Sequence, residues 1–275
     1  MYQAYWGLAK SPFRGHLDPR SFYQGPPQDE ALARLHFLVE ERRTLGLLLG
    51  ESGSGKSLLL EVFAKELGLI NREHALVSLV GASRAELLWS LAGQLGVECS
   101  RSRGEFALYR ALGDHILANR YQQIATVLLL DDADEAQGEV LEEVIRLAQL
   151  NQTHDARLTV VLTAHSERLH RLGARILETA ELRVDLDGWD LDDTAAFVKQ
   201  SLAEAGRSTP IFSEGALRRL YELTGGVPRR IKQLADLALL GGAGSNLAQI
   251  EADLIESVYQ ELGIDTGVML SLGGR

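Results

Sequence analysis

The chain has one cysteine, Cys99, in 275 residues. A single thiol closes no internal disulfide, so the fold is held by packing alone and suits a reducing compartment. Long hydrophobic runs are also missing. The longest, residues 124–130, falls far short of the roughly 20 apolar residues that a membrane-spanning helix needs. The first thirty residues show no basic start followed by an apolar block, so no secretory leader is read there. The expected location is cytoplasmic, with no direct membrane insertion. Positive charge is scarce too. Twenty-eight basic against 38 acidic residues leave a formal charge of -10, which excludes a broad electrostatic footprint on nucleic acid. Two short basic runs, Arg101-Ser102-Arg103 and Arg218-Arg219, leave a local DNA contact open. No internal repeat or low-complexity tract is present.

What the chain does have is apolar material for a packed core, at 45% of its residues. Short apolar runs of strand length lie at residues 44–49, 75–80, 124–130, 158–163 and 182–186. Segments with helical spacing separate them, at 28–43, 57–67, 84–95, 105–119 and 137–150. Strands alternating with helices predict an α/β fold built on a parallel sheet covered on both faces. After Asp187-Gly188 the pattern is helical only, through 192–205, 213–223, 228–240 and 247–262. Four parts follow. Residues 1–27 are an aromatic, proline-containing extension packed on the core. The α/β domain is 28–187, a small helical domain is 188–262, and 263–275 is a loose glycine-rich tail.

The segment Gly50-Glu51-Ser52-Gly53-Ser54-Gly55-Lys56-Ser57 fits the phosphate-loop pattern and lies between a strand and a helix, as that motif requires. Its glycines let successive backbone N–H groups converge on an anion, and the following helix adds its positive end. Lys56 supplies a point charge for the outer phosphates and Ser57 a hydroxyl for Mg²⁺, with Leu58 continuing the nucleotide-facing turn. A nucleophile elbow centred on Ser52 is excluded, because it would need glycine where Ser54 stands.

The run Val127-Leu128-Leu129-Leu130-Asp131-Asp132 puts two acids at the end of a buried strand. Ligands gather at such strand ends in open parallel sheets. Asp131 is the candidate for facing Mg²⁺, and Asp132 for polarising the attacking water. One of the two acids, or Asp134, would alternatively cap the next helix.

With both motifs placed, the sequence resembles the AAA+ ATPases and, within them, the ExeA-type (general secretion pathway protein A) group. The resemblance runs through Trp6-Gly7-Leu8, Pro12-Phe13, Asp18-Pro19-Arg20-Ser21-Phe22-Tyr23 and Glu40-Glu41-Arg42-Arg43, and ends in Thr224-Gly225-Gly226-Val227-Pro228-Arg229-Arg230-Ile231. It implies a P-loop core with a helical lid, ATP and Mg²⁺ as ligands, and a homo-oligomeric ring such as a hexamer. It further implies that Arg229 is a second sensor reaching the γ-phosphate, the alternative being a solvated basic helix end formed with Arg230 and Lys232. The first, polar sensor falls at Thr163 or His165. Arg183, with Arg175 in reserve, matches an arginine finger, and Tyr23 with Phe22 lies near the adenine or else plugs the extension. The sequence departs from the group in carrying Ala164-His165-Ser166-Glu167 for its usual Gly-Gln-Pro-Glu, and Asp132 for its usual glutamate. The shorter acid implies slow hydrolysis.

The implied function is ATP-driven remodelling or assembly of a partner complex of the secretion or pilus kind. Group members often continue into a membrane span and a cell-wall module. The sequence at hand ends at Arg275 after the helical domain, which weakens the expectation of a direct envelope role. Two alternatives stay open: an ATP-dependent DNA-transaction regulator similar to transposition ATPases or origin-binding initiators, and a slow nucleotide switch.

Overall fold

The computed structural model describes residues 2–13, 19, 22–70, 72–98, 104–151 and 157–262. Cys99, the Arg101–Arg103 run, most of the 14–21 stretch and the 263–275 tail lie outside the described residues. The chain forms two compact units, one of Leu17–Asp187 and one joining Met1–His16 to Gly188–Arg275.

In the first unit five parallel strands stand in the order β2-β3-β4-β1-β5. They are β1 Leu45–Gly50, β2 Glu73–Ser78, β3 Thr126–Asp131, β4 Leu158–His165 and β5 Leu182–Asp185. Side chains alternate across a strand, and here the alternation sorts two cores. Leu45, Leu47 and Leu49 of β1, with Leu128, Leu130, Leu162 and Ala164, face one cluster with helices at Arg84–Gln94, Gly104–Tyr121 and Gly138–Ala148. Leu48, Val127, Leu129, Val161 and Val184 face the other, with helices Pro26–Glu40 and Lys56–Leu69. A side chain at Gly46 would come within 2.6 Å of Leu38, so glycine lets the first of those helices lie flat on β1. The helix at Arg84–Gln94 starts on a capping box in which Ser83 and Glu86 satisfy each other's backbone.

With the helices of the unit called α2 (Pro26–Glu40), α3 (Lys56–Leu69), α4 (Arg84–Gln94), α5 (Gly104–Tyr121), α6 (Gly138–Ala148) and α7 (Gly173–Thr179), the chain order is that expected of an α/β fold. The short α7 was not foreshadowed by spacing. Gln94 closes the β2 edge: its side-chain amide donates to Leu76 O at 2.7 Å and accepts from Leu76 N at 2.8 Å. An edge strand is thereby paired by a side chain.

Apart from one isolated bridge, the regular structure of the second unit is helical among its described residues. It comprises α1 (Tyr2–Trp6), α8 (Leu191–Glu204), α9 (Glu214–Thr224), α10 (Pro228–Gly244) and α11 (Ala252–Glu261). The last helix begins five residues later than its spacing predicts, because Ile250 is drawn into a bridge with Phe212.

The expectation that residues 1–27 pack on the α/β core needs correcting for the first part of that segment. Trp6 is buried within the helical unit, and its indole N–H donates to Leu239 O at 2.8 Å. Tyr2 bonds Asp236, and Phe13 meets Phe197 and Phe212. A side chain on Gly242 would lie 2.9 Å from the Trp6 ring, so this glycine makes room for the indole. An apolar α1 needs a partner face, and α10 presents one built to its shape. Phe22, further along, packs instead on the α2–α3 side of the sheet.

Candidate nucleotide-binding site

The loop from Gly50 to Gly55 turns through two left-handed glycines, Gly53 at φ 88° and Gly55 at φ 104°. Nothing lies within 4 Å of a side chain placed on Gly55, so its requirement is conformational rather than one of space. Gly50 is the reverse case. A side chain there would meet the Ser54 hydroxyl at 2.6 Å and Leu186 O at 2.8 Å.

Lys56, the first residue of α3, is 8% exposed and folds back over the loop. Its ammonium donates to the carbonyl oxygens of Gly50 and Glu51, each at 2.9 Å. The charge is thus held at the mouth of the loop. The Ser54 hydroxyl is buried without a hydrogen-bond partner, an orphan polar atom inside the turn. Ser57 and Leu58 are half-buried on the first turn of α3, and Glu51 and Ser52 are exposed.

Strand parity brings Asp131 to the same face of the sheet as α3. Val127 and Leu129 point to the α2–α3 core, so Asp131 does as well, and on β4 Val161 is followed by Thr163 and His165. The contacts agree. The Thr163 hydroxyl donates to Asp131 Oδ1 and accepts the backbone N–H of Asp132 at 2.8 Å. His165 stands in register with Gly50 on the neighbouring strand. Its Nδ1 accepts from Glu167 N at 3.2 Å, the role of a local cap.

The helix-cap alternative for the acids does not hold. Asp132 precedes a short 3₁₀ turn, Ala133–Glu135, but its side chain makes no capping bond. Asp134 is buried and accepts from His165 N at 3.1 Å, with Arg168 at 3.7 Å. Spacing alone offers Asp134 only as a cap; a third acid three residues past the end of β3 is the available signal. Asp132 itself sits in the left-handed region at φ 55°. Partial burial raises its carboxyl above the usual range, the neighbouring Asp131 and Asp134 raise it further, and Lys56 pulls it back. The Lys56 charge is therefore felt at Asp132.

Each of the remaining candidates sits within its own unit. Arg183 lies on the edge strand β5, between Leu182 and Val184 of the α2 face, and so on the opposite side. Its guanidinium is held by Asp185 at 2.7 to 3.1 Å and is exposed. Arg175 is exposed on α7. Tyr23 is half-buried beside Gly25. In the helical unit, Arg229 and Arg230 are exposed on the first turn of α10, directly after Pro228. The turn before them is fixed by Gly225 and Gly226, both left-handed. A side chain on Gly226 would come 1.9 Å from Trp189 O. Lys232 does not join a solvated basic end: it is half-buried, its ammonium lies 5.6 Å from the Phe197 ring centre, and burial lowers that ammonium. Arg219 pairs with Glu222 and Glu256, and Arg218 beside it is exposed.

Residues 39–172 match the family model described as an AAA domain. Over its whole length the chain is 28% identical to the General secretion pathway protein A of Aeromonas hydrophila. The chain carries an AAA domain of the AAA+ class and is similar to the ExeA-type group. It spans about half of that relative, 52% of its length. The AAA+ architecture recurs in solved structures. Cdc6p from Pyrobaculum aerophilum superposes with a TM-score of 0.70 at 18% identity, covering 91% of this chain and 70% of that one. The Aeropyrum pernix ORC1 protein in complex with DNA gives 0.66 at 14% identity, covering 88% and 67%. At these identities the likeness is one of fold. The AAA+ class binds nucleotide at its phosphate loop, and the donor set of this loop fits an anion: an ammonium, two serine hydroxyls and helix-start amides. Among the described residues no cluster of three or more acids, histidines or cysteines could cage a metal, and no helix is long and apolar enough to cross a membrane.

Proposed function

We propose that this AAA+ protein binds and hydrolyses Mg²⁺-ATP, and uses the cycle to assemble or remodel a partner complex in the cytoplasm. The observation that carries the reading is the gathering of Lys56, Asp131, Asp132 and Thr163 at one strand-end face. The phosphate loop would grip the triphosphate through its backbone amides, with Lys56 exchanging its bonds to Gly50 and Glu51 for phosphate oxygens. Mg²⁺ would be held by Ser57 and Asp131 together with the phosphates, since this ion takes few protein ligands. When bound, the ion would supply positive charge against the transferred group. Asp132 would accept a proton from the attacking water, a role that its raised carboxyl suits.

Arg229 is read as the second sensor. Two arginines in the first turn of a helix oppose its dipole and so do not serve the helix itself. Their exposure and the rigid glycine turn before them suit an anionic ligand. Arg183 is read as the finger offered to a neighbouring subunit once Asp185 releases it, and Tyr23 as a contact to the base. Ring assembly would follow from this exchange. The named relative, a General secretion pathway protein A, favours a client of the secretion or pilus kind.

The test is sizing of the intact chain with Mg²⁺ and a non-hydrolysable ATP analogue, beside ATP turnover. An analogue-dependent shift to a closed oligomer, absent in Lys56→Ala, supports the reading; a monomer under all conditions with no turnover overturns it. A solved neighbour carries DNA, which makes DNA the second candidate partner. ATP-dependent, salt-sensitive gel shifts of the wild type would favour it.

A further inference from the structure

The Thr163 hydroxyl belongs to no step described so far, yet it is the only atom named above that touches both acids. Thr163 is fully buried near the end of β4, in a strand otherwise lined by Val160, Val161, Leu162 and Ala164. A threonine hydroxyl has one hydrogen to give and two lone pairs to accept with. Its hydrogen goes to Asp131 Oδ1, and it accepts the N–H of Asp132. With its one proton spent on a carboxylate, Thr163 cannot also donate to a phosphate oxygen without breaking a buried charge-assisted bond.

We propose that Thr163 is a positioning residue for the acid pair rather than a phosphate sensor. It pins one oxygen of Asp131, so that the other is presented to the cation. It also holds the peptide of Asp132 in a left-handed conformation that side chains other than glycine, asparagine and aspartate adopt reluctantly. One hydroxyl thereby sets the direction of the metal-facing acid and the backbone that aims the water-facing one. Valine at this position would fill the same space, but it would leave a buried carboxylate oxygen and a part-buried N–H without this partner. The assignment rests on the Mg²⁺-ATP reading of the site.

The test uses the intact chain and three variants, Thr163→Val, Thr163→Ala and Thr163→Ser. Affinity for a fluorescent non-hydrolysable ATP analogue is measured in EDTA and again across a Mg²⁺ titration, and single-turnover hydrolysis is followed alongside. Outer-sphere partners of metal ligands commonly govern affinity or activity by about 10- to 100-fold. Val and Ala are therefore expected to raise the half-saturating Mg²⁺ about tenfold or more, with affinity in EDTA close to wild type, and Ser is expected to restore the wild-type titration. If Ser falls with Val and Ala, the methyl group matters and the proposal is overturned. The same holds if the Val and Ala titrations match wild type; analogue binding lost only in Lys56→Ala would then leave the nucleotide site standing. Should Val fail to fold, the Ser and Ala pair decides by the same criterion. A wild type that binds no analogue removes the nucleotide reading and this assignment with it.

Discussion

The Lys56 ammonium lies 2.9 Å from the carbonyl oxygen of Gly50, the residue that opens the loop Lys56 closes. The loop is therefore held in a closed turn by the same charge that is to meet the phosphates. Two consequences follow for Lys56→Ala. Nucleotide affinity should fall below detection in equilibrium titration, and the loop should lose its internal tie. Wild-type affinity in this variant would remove the phosphate-loop assignment.

Asp132 carries a pH signature. Burial and its acidic neighbours raise its carboxyl in the folded state above the unfolded value. The folded chain therefore holds this proton more tightly than the unfolded chain. Stability falls as pH rises from the unfolded value through the folded one, and the full cost persists above it. Asp132→Asn, which keeps the shape and also tolerates a left-handed backbone, should melt at a higher temperature than wild type at pH 7.5. The difference should shrink towards zero below about pH 4, near the ordinary aspartate value. The same variant should lose about 10²- to 10⁴-fold in hydrolysis, the usual contribution of a general base. Equal melting temperatures at neutral pH would contradict the electrostatic account.

The left-handed backbone at Asp132 sets a second expectation. Asp132→Glu lengthens the acid by one methylene, which should speed single-turnover hydrolysis if the native carboxylate falls short of the attacking water. Glutamate tolerates this conformation less well, at a cost of about 1–2 kcal/mol in stability. A rate unchanged or lower, with nucleotide binding intact, would show that aspartate is not too short.

Trp6 anchors the N-terminal helix in the helical unit through packing and one indole bond. Trp6→Ala should destabilise that unit by about 3–5 kcal/mol, the usual range for removing a buried tryptophan. Gly242→Ala, which pushes a methyl group against the same ring, should act in the same direction. Denaturant unfolding followed by tryptophan fluorescence and far-UV circular dichroism measures both. A loss under about 1 kcal/mol in Trp6→Ala would show that the segment is an appendage.

Much of the α/β architecture was legible because the signals were local. The apolar runs around Leu47, Leu128 and Val160 mark strands buried on both faces, and Gly50 through Ser57 carries its own backbone requirement. Parity along β3 and β4 was legible in principle, since Val127, Leu129 and Asp131 alternate, but assigning the faces needed the partner helices. Three features escaped. Residues 2–13 belong to the helical unit, with Tyr2 and Trp6 on α10 and Phe13 against Phe197 and Phe212, because the fit of Trp6 to Gly242 is a tertiary match between distant segments. Asp134 reads as a cap until the backbone of His165 is seen to need an acceptor. The two hydrogen bonds of Thr163 reach Asp132 and Asp131, 31 and 32 residues earlier in the chain, which no local pattern encodes.

The central claim is that Lys56, Ser57 and Asp131 serve one triphosphate and one cation. The most direct measurement is the electron density of the crystallised chain with Mg²⁺ and a non-hydrolysable ATP analogue. The account predicts phosphates lying along Gly50 to Ser57, with the cation between Ser57 and Asp131. Nucleotide bound elsewhere, or a cation that neither residue approaches, would contradict it.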